Sequence, residues 1–502
     1  MRRTLGTCLV LLVVMVAISF SARAEVRLPS VLTDHMVLQR GQPIHIWGSA
    51  GPGEKIYVSF HGREGNAVAD ELGRWGLYLP PVPAGGPFTL IVRGKNTITY
   101  TDVLVGDLWI ASGQSNMGFP MGKTAWTNGV QNSQQEIANA NHPRLRLFHV
   151  KDTASDYPLE DISAQPWTAC TPQSVTDFSA VAYYFGSELL TKEDVPIGLI
   201  EADWGGTPAE AWTSLSALSS DPSLMPVFAA EAQMMGNEST ALLQQKKEQQ
   251  ETEEAKAEGK PLPKFHWRPD PNSWAPARLF NAMIAPLTPL PIRGAIWYQG
   301  ESSTDPLRAP VYAHLFQTLI SDWRTQWKQG DFPFLFVQIA NFRPGTDWPP
   351  VREAQRKALA LRNTGMAVTI DIGDPDNVHP TDKKDVGHRL ALWARALSYG
   401  EKVEDSGPLF QEAVPMGAQM RVWFNHAQGG LVSKRGELQG FEVAGSDGKF
   451  FPAKATIEGN SVLASSKEVP APVSVRYGWA ADPACNLYNG DGLPASPFTS
   501  GQ

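Results

Sequence analysis

Residues 103–116 read Val103-Leu104-Val105-Gly106-Asp107-Leu108-Trp109-Ile110-Ala111-Ser112-Gly113-Gln114-Ser115-Asn116. Two compact apolar runs of strand length, Val103 to Val105 and Leu108 to Ala111, end there in a polar turn that holds a serine beside a glycine. The stretch divides the chain into two textures. Before it come short alternating runs, Ile44-His45-Ile46-Trp47, Ile56 to Phe60 and Phe88 to Val92, broken by Gly51-Pro52-Gly53 and Gly85-Gly86-Pro87. That pattern predicts a small antiparallel β-sandwich over residues 25–104. After it, buried-strand candidates (Pro196 to Ile200, Gly294 to Tyr298, Phe334 to Gln338, Met366 to Ile370) alternate with helical patterns such as Ala180 to Leu190 and Tyr312 to Trp327. Alternation of this kind predicts a parallel sheet in a three-layer α/β domain over residues 105–404.

Within that domain, residues 214–276 break the alternation. Their middle, Leu242 to Ala257, is rich in Gln, Glu and Lys on every helical face, which predicts an exposed helical or irregular insertion. Strand-like alternation returns in Met420 to Phe424, Val462 to Ala464 and Val473 to Tyr477, so residues 405–502 are expected to form a second β domain. At the other end, Arg2 and Arg3 precede an apolar run from Leu9 to Phe20 and a small-x-small Ala22-Arg23-Ala24. This is the pattern of an export signal over residues 1–24, with the periplasm or the extracellular space as destination. No later segment has the length and apolarity of a membrane span.

Composition narrows the partners. A hydrophobic share of 42% excludes global disorder, and 43 Lys+Arg against 51 Asp+Glu, with no basic run, argues against nucleic acid. Of three cysteines, Cys8 precedes the apolar run; Cys170 and Cys485 are either a disulfide or two thiols. No Cys/His cluster has metal-ligand spacing. The 16 tryptophans fit large cores first and flat surfaces for stacking sugars second.

Ligands of open α/β sheets bind beyond the carboxyl ends of the strands. Four polar clusters lie at such ends: Gly113-Gln114-Ser115-Asn116, Trp204-Gly205-Gly206-Thr207, Gln299-Gly300-Glu301-Ser302, and Asp374-Pro375-Asp376-Asn377-Val378-His379-Pro380. Together they supply the parts of acyl transfer. Ser115 is the candidate nucleophile and His379 its base, with Asp376 on the same loop as the carboxylate that orients the imidazole. Candidate oxyanion donors are the Ser115 amide, the Gly206 (or Gly205) amide and the Gln299 carboxamide, where loss of one such donor costs about 3–4 kcal/mol in a well-studied enzyme. Singly, each cluster is commonplace: turn serines cap helices, and Asp-x-x-His before a helix is usually a cap. Their occurrence at successive strand ends carries the inference. The absence of Gly-x-Ser-x-Gly around Ser115 argues against the α/β-hydrolases.

The order Gly-Gln-Ser-Asn, Gly-Gly, Gln-Gly-Glu and Asp-x-x-His resembles the SGNH-type esterases with a flavodoxin-like sheet, and more closely the sialate O-acetylesterase-like family. The resemblance also rests on Asp34 to Arg40, Gly106 to Met117, Glu210-Ala211-Trp212, Leu279 to Leu287, Trp297 to Ser302, Asp382-Lys383 and Asn486 to Asn489. It implies an SGNH/flavodoxin-like three-layer α/β/α catalytic domain between two β domains. It further implies a secreted carbohydrate O-acetylesterase that needs no metal or other cofactor, acts on an acetylated glycan, and forms an acetyl-enzyme on Ser115. Two positions depart from the family pattern: Ser303 follows Gln-Gly-Glu-Ser where relatives have Asn, and Asn377 stands where many have the acid. Glu301 is therefore the alternative acid. Substrate is open between O-acetyl sialic acid and plant hemicellulose (xylan or xyloglucan). The first calls for a cation, with Arg278 and Arg352 as candidates, and Glu210 and Trp212 are possible lining residues. Two other classes remain: a catalytically dead carbohydrate-binding protein and a metal-assisted hydrolase. An ordinary histidine base would set an acid limb near about pH 6.5.

Overall fold

The computed structural model describes residues 25–501 apart from 237, 264, 266, 267 and 344–346. The expected export segment, with Cys8, lies outside the described residues.

Residues 97–113 form one strand, Thr97–Gly113, where the sequence suggested two runs. Its first half belongs to the N-terminal β region, pairing antiparallel with Gly85–Arg93 and, at 104–106, parallel with Val37–Gln39. Its second half is the middle of a parallel sheet, flanked by Ile197–Asp203 and Gly294–Tyr298. Gly106-Asp107 does not break it because the Asp107 carboxylate, fully buried, is held from three directions. Arg40 Nε and Nη2 donate to it at 2.9 and 2.8 Å, Gln39 Nε2 at 3.0 Å and Tyr399 Oη at 2.9 Å. The Gln39-Arg40 motif thus fastens the β region to the catalytic sheet.

The sheet continues outward through Phe334–Gln338 and Thr364–Val368 on one side and His142–His149 on the other, all parallel, with Thr168–Cys170 as an antiparallel edge. Every residue of Gly294–Tyr298, Phe334–Gln338 and Thr364–Val368 is buried. This is the signature of a sheet covered on both faces. Helices Ala180–Glu193 and Lys383–Tyr399 pack on one another, as do Tyr312–Trp327 and Trp348–Ala358. The class is therefore α/β, with β-rich flanks. The chain leaves the central strand toward His142–His149, returns to Ile197–Asp203, then crosses to Gly294–Tyr298. The central strand is the switch point where such sheets bind ligands.

In the insertion, Leu215–Ser219, Met225–Met235 and Glu238–Ala257 are helices, the last exposed along most of its length. The C-terminal region has two four-stranded antiparallel sheets around a core that includes Val422, Phe441, Tyr477 and Phe498. Arg352 ties it on, donating to the carbonyls of Ala480 and Ala481 at 2.7 and 2.8 Å. Cys170 and Cys485 are both free thiols. Trp109, Trp167, Trp212, Trp297 and Trp323 are core residues.

Gly113 ends the central strand at φ 142°, and a Cβ there would lie 2.1 Å from the Tyr298 carbonyl oxygen. Gly113→Ala is expected to destabilise the fold by more than about 2 kcal/mol, read as a lowered thermal midpoint together with lost soluble yield.

Candidate active site

The last central-strand bond is from Gln114 N to the Tyr298 carbonyl, at 3.0 Å. The chain then turns, with the amides of Met117 and Gly118 both bonded to the Gln114 carbonyl at 2.7 and 3.1 Å. Ser115 stands on this turn, directly beyond the sheet. From the neighbouring strand end, Gly205 packs against it: a Cβ on Gly205 would lie 3.4 Å from Ser115 Cβ.

His379 arrives on a loop whose short polar side chains hold its own backbone. Asp376 N donates to Asp374 Oδ1 at 2.9 Å, and His379 N donates to Asn377 Oδ1 at 3.0 Å. Directly after, Asp382 caps helix Lys383–Tyr399 by accepting from Asp385 N at 3.1 Å. Ser115 Oγ lies 2.8 Å from His379 Nε2, the geometry of a hydroxyl donating to a neutral imidazole. The structure brings these two sequence-predicted residues together over a separation of 264 positions.

Neither carboxylate expected to orient the imidazole does so. Asp376 points to solvent, its side chain 83% exposed, and accepts from Arg343 Nη2 at 3.0 Å. Glu301 lies behind the serine and accepts from Asn116 Nδ2 at 2.6 Å. Among the described residues, the ring's hydrogen bond is to Ser115 alone. Burial, and secondarily the nearby Lys383 charge, push the His379 pKa down to about 4, which keeps the imidazole neutral and able to accept a proton.

The network behind Ser115 was not expected. Asn116 Nδ2 also donates to the Val378 carbonyl at 2.9 Å, and Asn116 Oδ1 accepts from Lys383 Nζ at 2.5 Å. One carboxamide thus joins three of the four clusters and the first turn of the following helix. Burial lowers the Lys383 pKa to about 7, against the opposing charges of Glu301 and Asp382, and burial raises that of Glu301. Asn116 and Lys383 both stand in family-like motifs of the sequence, but only the fold puts their side chains in contact.

The oxyanion donors also need correction. Gln299 is fully buried and its carboxamide is engaged: Nε2 donates to the Thr207 carbonyl at 3.2 Å and to Ser303 Oγ at 3.0 Å, while Oε1 accepts from Tyr312 Oη at 2.9 Å. Among the described residues, the Ser115, Gly205 and Gly206 amides have no protein acceptor, and they are the donors left for a developing negative charge. Gln114 Oε1 instead accepts from the Gly300 and Ser302 amides at 3.4 and 3.3 Å, holding the third cluster in place. Glu210 is ion-paired to Arg308 at 2.6 Å and Trp212 is core. Arg278 pairs with Asp156 at 2.5 Å, and Arg352 is buried on backbone carbonyls. Among the described residues, one His/carboxylate group has the size of a metal site, Glu404, Asp405 and His426; it shares no residue with Ser115–His379. No helix among them is long and apolar enough to cross a membrane.

A family model described as a carbohydrate esterase, sialic acid-specific acetylesterase, matches residues 264–395. Sialate O-acetylesterase of Mus musculus is 30% identical over 545 residues, covering 97% of each chain. The Homo sapiens enzyme of that name is 30% identical, covering 95% of this chain and 93% of its own. The crystal structure of a carbohydrate acetylesterase from Xanthomonas citri is similar at 38% identity with a TM-score of 0.82, covering 95% of this chain and all of that one (100%).

The pH profile of kcat/KM on 4-nitrophenyl acetate stays flat from neutral pH to about 5 and falls as His379 is protonated near about 4, instead of breaking near about 6.5. Asp376→Asn lowers kcat by less than about threefold, whereas Glu301→Gln, which disturbs the network behind the serine, lowers it by about tenfold or more.

Proposed function

Since the chain belongs to the sialate O-acetylesterase family and is a carbohydrate O-acetylesterase, we propose that it works through an acetyl-enzyme on Ser115, with His379 as the single general base and acid. Ser115 Oγ attacks the acetyl carbonyl while His379 Nε2 takes the hydroxyl proton. The negative charge on the carbonyl oxygen falls to the Ser115 amide and the Gly205–Gly206 amides. Collapse expels the sugar oxygen, which takes the proton from His379. Water then attacks the acetyl group with His379 again as base, releasing acetate and restoring the serine. The observation that carries this mechanism is the 2.8 Å contact between Ser115 Oγ and His379 Nε2.

O-Acetylated sialic acid is the substrate that the relatives' names favour. Hemicellulose esters are the second reading, supported by one observation: Arg278 and Arg352, the two cations available to a sialate carboxylate on sequence grounds, are both engaged elsewhere. A catalytically silent binding protein is disfavoured by a serine and histidine in reactive contact. The leader-like residues 1–24 support action in the periplasm or outside the cell.

Ser115→Ala is expected to abolish acetate release by at least about 10³-fold with an unchanged thermal melt. Retained turnover would sink the acetyl-enzyme mechanism.

A further inference from the structure

Among the described tryptophans, one is mostly exposed: Trp126, at 52%. Its place is not arbitrary. The indole lies 5.1 Å, ring centre to ring centre, from the His379 imidazole, and 5.4 Å from Phe119, which is buried beneath it. The loop that carries it is tied at its base on both sides. Met121 N and Gly122 N donate to the carbonyls of Phe178 and Thr176 at 3.2 and 2.7 Å, and Gln131 N donates to the Thr381 carbonyl at 3.3 Å, two residues from His379. Across the loop, Thr124 N donates to the Thr127 carbonyl at 2.9 Å. Trp126 is therefore held at the mouth of the site, and its indole N–H makes no hydrogen bond among the described residues.

An exposed indole forgoes the stabilisation that burying it would give, and a large apolar ring left beside reactive groups is the usual lining of a ligand site. The chemistry says which part of the substrate comes there. The acid that protonates the departing oxygen stands within about 3 Å of it, and that acid is His379. The leaving group's carbon skeleton begins one bond further on, so it lands beside the group packed against His379. That group is the indole.

We propose that Trp126 is the platform on which the leaving sugar stacks: the apolar face of a pyranose ring lies on the indole, and the indole N–H faces the ring's hydroxyls. The platform selects esters whose alcohol is a ring over esters of small aliphatic alcohols. It rests on the Ser115–His379 mechanism and adds its substrate-recognition element. A pyranose occurs both in O-acetylated sialic acid and in acetylated xylo-oligosaccharides, and the test separates the two.

The full chain with Trp126→Ala or Trp126→Tyr is assayed for acetate release from both sugar esters and from ethyl acetate, whose alcohol has no ring. With Trp126→Ala, kcat/KM on the sugar ester falls at least tenfold more than on ethyl acetate, mainly through KM. With Trp126→Tyr, most of the loss returns. The sugar ester that shows this selective loss identifies the source of the ring. Equal loss on all three esters would mean that the indole only shields His379, and would overturn the proposal. So would no loss on either sugar, or a parent enzyme that hydrolyses ethyl acetate but neither sugar ester. Thermal melts of both variants separate these outcomes from unfolding. Turnover retained in Ser115→Ala would instead overturn the underlying mechanism, whatever Trp126 does.

Discussion

The site hangs from the point where the central strand can go no further. Gly113 is in register with Asp203 on one side and Tyr298 on the other. At that position the Tyr298 backbone leaves no space for a side chain. The chain has to rise out of the sheet within two residues, which delivers Ser115 above it. The same register brings Gly205 and Gly300 to the same level, so three clusters converge because three strands end together. The fourth comes from the segment after Thr364–Val368, three strands from the central one, and reaches Ser115 only through a loop braced by its own Asp and Asn side chains.

A base without a carboxylate partner has to be positioned by other means. His379 follows Val378, whose carbonyl accepts from Asn116, and Asn116 is adjacent to Ser115 in sequence. Ser115 and His379 are thus joined by a second bridge besides their direct contact. Glu301 and Lys383 hold the same carboxamide from both ends, Glu301 accepting from its nitrogen and Lys383 donating to its oxygen. Such a buried polar cluster is stabilising only when complete. Removing one partner leaves its neighbours unsatisfied at about 1–3 kcal/mol each. Burial first, and the Lys383 charge second, oppose protonation of His379 and keep the imidazole neutral over a wide acidic range.

What the sequence could and could not reveal follows from the range of each interaction. The four clusters were legible because strand ends announce themselves by apolar runs that stop, and ligands bind there. Ser115 and His379 needed only that rule and their chemistry. Nearness along the chain points to Asp376, but its carboxylate is taken by Arg343, 33 residues upstream, and no periodicity reports such a partner. Gln299 failed for a different reason. Its cluster is at the right place, yet its side chain is turned into the interior toward Tyr312 and Ser303, a choice made by packing. The 17-residue strand shows in the sequence only as two apolar runs, because the partners that hold the Asp107 carboxylate between them lie 67 positions before and 292 positions after. Most of the tryptophans are core, as their number suggests, and one, Trp126, stands exposed beside His379.

That strand has an architectural consequence. Domains of larger enzymes are often strung together by linkers, so that one module can be swapped for another. Here the N-terminal module and the catalytic sheet share one backbone segment, paired with strands of both. There is no seam to cut. A recombination or truncation between residues 97 and 113 would cut the N-terminal β region and the strand that leads to Ser115 at one stroke.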